Sequence, residues 1–224
     1  MKKTLFIILG LALILAMIPS VAFADPSQVK EISTAEELVK IGIDAEYPLS
    51  GSYYLTADID LDGVQWTPIG TDNTPFTGHF DGKGYTIRNL TVNVTSTDAN
   101  VCAGLFGYIS SCTIKNVGLE NASIIAQTTG KLGNAYAGGI VGHSKDSNSY
   151  IENCYNTGTV TASGYYAYAG GILGAGRVNG DGIWLCYNTG TVTASGDFTY
   201  AGGIVGNSIN GNILRCYNTG DVTA

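Results

Sequence analysis

The chain repeats itself. The run Cys154-Tyr155-Asn156-Thr157-Gly158-Thr159-Val160-Thr161-Ala162 returns at residues 186–194 and, with Asp221 in place of Thr, at residues 216–224, spacings of 32 and 30. Between these copies Tyr136-Ala137-Gly138-Gly139-Ile140-Val141-Gly142 recurs at residues 168–174, with Leu173 for Val, and at residues 200–206. A degenerate copy lies upstream in Gly104-Leu105-Phe106-Gly107, followed by Ile114-Lys115-Asn116-Val117. Ile87-Arg88-Asn89-Leu90 reads as one more rung, in line with Ile151, Ile183 and Ile213. About five units of 27 to 37 residues result, and a period of this length marks a stacked-repeat architecture.

The unit is built of short strands. Gly-Gly-Ile-Val-Gly and Thr-Val-Thr-Ala are too short for a helix and lack its three-and-four spacing of apolar residues. Thr159-Val160-Thr161 alternates polar and apolar as a half-buried strand does, and Asn156-Thr157-Gly158 reads as a turn in which Asn or Gly takes positive φ. Further strands are expected over residues 53–60 and 85–92. One such coil cannot bury its own inner face, whereas stacked coils share a continuous core. The expected fold is therefore all-β, a right-handed parallel β-helix, with like residues about 4.8 Å apart in successive coils.

The ends of a solenoid need separate treatment, because unpaired strand edges invite aggregation. Ser33-Thr34-Ala35-Glu36-Glu37-Leu38-Val39-Lys40-Ile41 predicts a short capping helix, with Ser33 and Glu36 as the capping box and Leu38 and Ile41 on one stripe. At the other end Ala224 follows a Val222-centred strand directly, without a polar cap. The expectation there is that the natural chain continues, or that a partner or a second copy covers the edge in end-to-end association. The organisation expected is a signal peptide over residues 1–24, an N-terminal cap segment over 25–50 and the β-helix over 51–224.

Lys2 and Lys3 precede an apolar run over residues 5–18, and Ala22-Phe23-Ala24 is a small-x-small cleavage pattern, so the protein is expected to be secreted, with no transmembrane segment in the mature chain. Without the two lysines, 9 basic side chains face 18 acidic ones, a net charge of −9. Such a chain is repelled by phosphate backbones, which excludes nucleic acid and leaves glycan or an extracellular host protein as partner.

The Gly-Leu-x-Gly-like cores Gly104-Leu105-Phe106-Gly107 and Gly139-Ile140-Val141-Gly142 resemble the GLUG-motif repeats of secreted bacterial proteins. Residues 51–61, Trp66-Thr67-Pro68-Ile69-Gly70 and residues 76–87 are similar to the segment that precedes those repeats. The resemblance covers about residues 31–224. It implies a β-helix on a bacterial surface, of the kind that flanks the metallopeptidase domain of immunoglobulin-A-cleaving proteases. It is nearly silent on activity.

No reactive constellation stands out. His79 and His143, the two histidines, lie 64 residues apart, so the H-E-x-x-H helix of a zinc peptidase is absent. Of five cysteines, Cys154, Cys186 and Cys216 hold one place in successive coils, with Val117 and Leu90 in the equivalent place upstream, and are expected as buried free thiols. Cys102 and Cys112 are near enough in sequence for a disulfide. Asp58, Asp60 and Asp62 would share one strand face, where calcium would relieve their repulsion; the competing expectation is a solvated face. The aromatic residues give the binding signal. Tyr155, Tyr187 and Tyr217 are expected to point outward in a vertical ladder, and Tyr136, Tyr168 and Tyr200 in a second, together a flat strip for glycan or a protein loop, with Tyr165, Tyr166 and Trp184 as further rings. The function expected is a non-catalytic structural or adhesion module at the cell surface. The alternatives are a polysaccharide-acting β-helix enzyme, or the non-catalytic part of a larger surface protease.

Overall fold

In the computed structural model, which describes residues 29–97, 99–131, 133–178 and 182–224, every strand pair is parallel and joins successive coils. The signal peptide expected over residues 1–24 lies outside the described residues. The strands form columns of seven, six, five, four and four members. The seven-stranded column runs Val29–Ile32, Ser52–Leu55, His79–Asp81, Thr113–Lys115, Tyr150–Glu152, Ile183–Trp184 and Ile213–Leu214. One position in the six-stranded column reads Ile59, Ile87, Leu119, Asn156, Asn188 and Asn218. This is a parallel β-solenoid of about five turns with almost no helix. Among the described residues no helix is long and apolar enough to cross a membrane.

The core is a single cluster that runs through the coils. Its large members, Tyr53, Phe76, Phe80 and Phe106, lie towards the N-terminal end, where Phe106 meets Phe76 at 5.0 Å and Phe80 edge-on at 5.4 Å. Later coils fill the same space with Ile, Val, Ala and Cys. The N-terminal cap is the helix Ala35–Val39, which buries Leu38, with Ile41 beyond it also in the core. Its capping box is one residue later than the sequence suggests. Thr34, not Ser33, is the N-cap, and Glu37, not Glu36, returns the bond, because this register turns Leu38 inward.

Two ladder assignments are corrected. Ile151, Ile183 and Ile213 do align, but their upstream partners are Ile114 and Phe80, not Ile87, which pairs with Leu119. Val117 stands in line with Cys154, whereas Leu90 lies in the neighbouring column beside Ala122. The cause is the variable coil length, since register offsets between successive coils run from 28 (Ile59 to Ile87) to 37 (Gly118 to Tyr155).

The left-handed turns also sit one step earlier than expected. Asn156 is extended and buried, while Asn116 (φ 55°) and Asn153 (φ 50°) take positive φ, followed in the same corner by Leu185 (φ 55°) and Arg215 (φ 53°). Asparagine suits this conformation and adds a ladder here: Asn153 Nδ2 donates to Asn116 Oδ1 at 2.8 Å, and Asn116 Nδ2 to Asp81 at 2.8 Å. Leu185 can do neither, and a left-handed leucine costs about 1 kcal/mol. Leu185→Asn is therefore expected to stabilise the chain by about 1 kcal/mol, read as a higher urea midpoint; an unchanged or lower midpoint counts against it.

Another corner is held by one carboxylate. Asp146 accepts from the Ser110 and Ser111 hydroxyls, both at 2.6 Å, from the Ser111 amide at 2.9 Å and from the Asn148 amide at 3.2 Å. Burial works to raise its pKa, and the hydrogen bonds outweigh it and hold the group down to about 2. A depressed carboxylate contributes stability that is complete above its unfolded value near 4 and disappears as pH falls through 2. Melting curves of wild type and Asp146→Asn should therefore differ at pH 7 and converge between pH 4 and 2. A gap that stays constant to pH 2 would refute this.

Candidate functional site

The most repeated chemistry of the chain meets at one feature. The strand Asn134–Gly138 runs inward, turns at Gly139 and Ile140, and returns as Val141–Ser144, so that Tyr136 and His143 meet at the mouth with ring centroids 4.7 Å apart. The arms are so close that a Cβ on Gly138 would strike the Val141 carbonyl oxygen. At the tip, a Cβ on Gly139 would strike the Gly171 carbonyl and lie 2.9 Å from the Asn156 side chain. Gly171 stands in the same way against Asn188, and Gly203 against Asn218. The two repeated motifs are thus the two halves of one joint, glycine from the arch and asparagine from the wall opposite.

The asparagines are held by one another. Asn156 Nδ2 donates to Asn188 Oδ1 at 2.9 Å and Asn188 Nδ2 to Asn218 Oδ1 at 2.7 Å, while each amide also donates to a carbonyl two residues on, Gly158, Gly190 and Gly220. Asn156 and Asn188 are fully buried, and buried amides must be paired in this way to be tolerated. Beside them Cys186 Sγ accepts from the Cys154 amide, and Cys216 Sγ from the Cys186 amide, both at 3.4 Å. All five cysteines are free thiols, Cys102 and Cys112 included, and four of them are buried. Burial raises the pKa of Cys102 and pushes Cys112 up to about 12, so both are protonated at neutral pH.

Both tyrosine ladders form. Tyr155, Tyr187 and Tyr217 stack at 4.9 and 5.1 Å with interplanar angles of 7° and 4°. Tyr136, Tyr168 and Tyr200 stack at 5.1 and 4.9 Å with angles of 16° and 8°. Each ladder is anchored at its foot. The Tyr155 hydroxyl reaches Glu120 at 3.2 Å and Thr86 at 3.3 Å, and Asn134 Nδ2 donates to the Tyr136 hydroxyl at 2.9 Å. Burial raises the Tyr155, Tyr136 and Tyr168 pKa values, so the columns stay neutral. The flat strip expected from alternation is not what results. The ring faces are turned on one another, and the ladders offer edges and phenol hydroxyls to solvent.

His143 extends the second ladder sideways, a role with no signal in the sequence beyond its outward position. It packs against Tyr136 and, at 5.6 Å, Tyr108, and burial lowers its pKa to about 4 despite Asp72 nearby. At neutral pH it is an uncharged ring, and its Nδ1 is buried without a hydrogen-bond partner among the described residues.

The calcium expectation is corrected. Asp58, Asp60 and Asp62 are all exposed, as alternation demands, but two of the carboxylates are engaged with different partners. Asp58 accepts from the Thr86 amide and from Arg88, both at 2.9 Å, and Asp60 from Asn89 Nδ2 at 2.8 Å and from the Asp62 amide at 3.0 Å. Arg88 also meets Glu120 at 3.2 Å, so the acidic run is neutralised by a cation from the next coil. Among the described residues no three His, Cys, Asp or Glu side chains are placed to share a metal ion.

Coils of this length, closed by a glycine arch on a wall of asparagine, define a β-solenoid of the GLUG type. The family model of the GLUG motif matches residues 133–161 and 199–223, segments that begin at an arch and run into the Cys-Tyr-Asn strand. The chain is 35% identical over 127 residues to halomucin of Haloquadratum walsbyi, which covers 51% of this chain and 1% of halomucin. It is 36% identical over 85 residues to a protein of Evansella cellulosilytica assigned as a Gly-rich membrane protein, 38% of this chain and 10% of that one. Among solved structures, a Bacteroides ovatus protein assigned as an immunoglobulin A1 protease superposes with a TM-score of 0.68 at 27% identity, over 88% of this chain and 59% of that structure. The chain therefore spans only a small part of its curated relatives and about three fifths of the structural one.

Proposed function

We propose that the chain is an exported, non-catalytic module of the bacterial cell surface, a stiff spacer that also serves adhesion to glycan or to a host protein. The observation that carries this reading is the unbroken run of side-chain columns through the coils. Tyrosine, cysteine, asparagine and the Thr-Val strand each stack on their own kind, an arrangement that gives rigidity along the axis and gathers no acid, base and nucleophile at one point. The relatives support the location, since one is named a mucin and another a membrane protein. Intact cells that express the protein should be labelled by antibody to the purified chain; labelling only after permeabilisation would sink the surface assignment.

A second reading is favoured by the Bacteroides ovatus structure, in which the present chain would be the non-catalytic part of a larger protease-like surface protein. The purified chain should then leave immunoglobulin A1 uncut while the full gene product cleaves it. Cleavage by the chain alone would overturn both readings.

A further inference from the structure

The ladders spend their ring faces on one another, which directs the search for a ligand site to a ring that does not stack. Tyr165 is that ring. It stands at 89° to Tyr166 and 77° to Phe198, centroids 4.9 and 5.2 Å away, while those two stack on each other at 18°. It lines an open cleft of about 300 Å³, formed where three successive coils turn the same corner.

The rest of the lining is polar in a particular way. Thr129, Ser163 and Ser195 bring hydroxyls, Lys131 an ammonium group 5.5 Å from the Tyr165 centroid, and Asp197 a carboxylate. Neither Lys131 nor Asp197 takes part in an ion pair among the described residues. The floor is glycine for a steric reason. A Cβ on Gly164 would strike the Thr128 hydroxyl, and one on Gly196 the Gly164 carbonyl, so a larger residue would both fill the cleft and break the corner.

We infer that this cleft binds one hexosyl residue of a neutral glycan. A hexose presents a flat face of C–H groups, which suits the negative face of an unstacked phenol ring, and a rim of hydroxyls that both donate and accept. Asp197 accepts two such hydroxyls, Lys131 donates to one, and the serine and threonine hydroxyls do either. The pairing of one carboxylate with one ammonium leaves no net charge in the cleft, and the chain as a whole carries −7, so a polyanion is disfavoured. The inference gives the glycan arm of the proposed adhesion a location and a ligand class, and it rests on that reading only for its biological setting.

Calorimetry with three neutral tetrasaccharides, built from β-1,4-linked glucose, mannose and N-acetylglucosamine, tests it on the whole chain. At least one should bind, and Tyr165→Ser and the exposed, fold-neutral Asp197→Asn should each weaken it about tenfold or more. Tyr187→Ser should leave affinity unchanged. Binding that survives both cleft variants, or no heat from any of the three, overturns the inference. So does preferential binding of tetragalacturonate that is lost in Lys131→Gln. Antibody labelling of intact cells is unaffected by any of these results, so failure of the glycan site and failure of the surface assignment are distinguishable.

Discussion

Gly171→Val is expected to destabilise the chain by at least about 3 kcal/mol and to leave the C-terminal coils unpaired. Gly171 is the tip of the second full arch. A Cβ there would strike the Gly203 carbonyl oxygen and fall inside contact distance of both Cβ and Cγ of Asn188. Neither obstacle can step aside. The Gly203 carbonyl belongs to the next arch, held through the Ile172 amide to the Ile204 carbonyl at 2.9 Å, and Asn188 is fixed on both sides by its own column. Urea unfolding followed by circular dichroism measures the loss. A midpoint close to wild type would mean that the arch yields more readily than its packing suggests.

The other large effect comes from the wall that faces the arch. Asn188→Leu should cost about 3 kcal/mol, although leucine is close in size and Leu119 occupies the same column two coils earlier. The loss is one of partners. Asn188 accepts from Asn156 and donates to Asn218 and to the Gly190 carbonyl, and a buried amide or carbonyl left unpaired costs about 1–3 kcal/mol. Asn218→Leu, at the exposed end of the column, serves as the internal comparison and should cost less than about 1 kcal/mol. Equal effects at the two positions would show that side-chain shape and not the amide ladder sets stability here.

The coil was legible in the sequence because repetition is a strong signal. Copies of Tyr-Ala-Gly-Gly-Ile and Cys-Tyr-Asn-Thr-Gly at near-constant spacing leave little besides a solenoid, and the parallel columns follow. Less legible was which residues stand in line where the spacing changes. Ile87 and Leu90 were natural choices for their ladders by residue type, and the 37-residue step between Gly118 and Tyr155 moves both into other columns. Asn156 read as a turn residue because asparagine favours turns. Its burial against Gly139 depends on the arch folding inward, a contact between segments 17 residues apart that local sequence does not announce. The tyrosines were placed correctly on the outside, but alternation along a strand says nothing about ring planes, and stacking turned the expected strip edge-on. Asp58, Asp60 and Asp62 shared a face as expected; the Arg88 that removes the case for calcium comes from the neighbouring coil, 30 residues from Asp58.

Near-identical coils raise a difficulty that a varied core would not. A chain slipped by one whole turn would still set tyrosine on tyrosine, asparagine on asparagine and Thr-Val on Thr-Val, so the columns that stabilise the stack do little to identify their true neighbours. The corner that reads Asn116, Asn153, Leu185 and Arg215 is different in kind, because it changes from turn to turn while the backbone keeps the same left-handed bend. Together with the unequal coil lengths it gives each turn an address. On this view the apparent blemish at Leu185, worth about 1 kcal/mol of lost stability, helps the chain count its own coils as it winds.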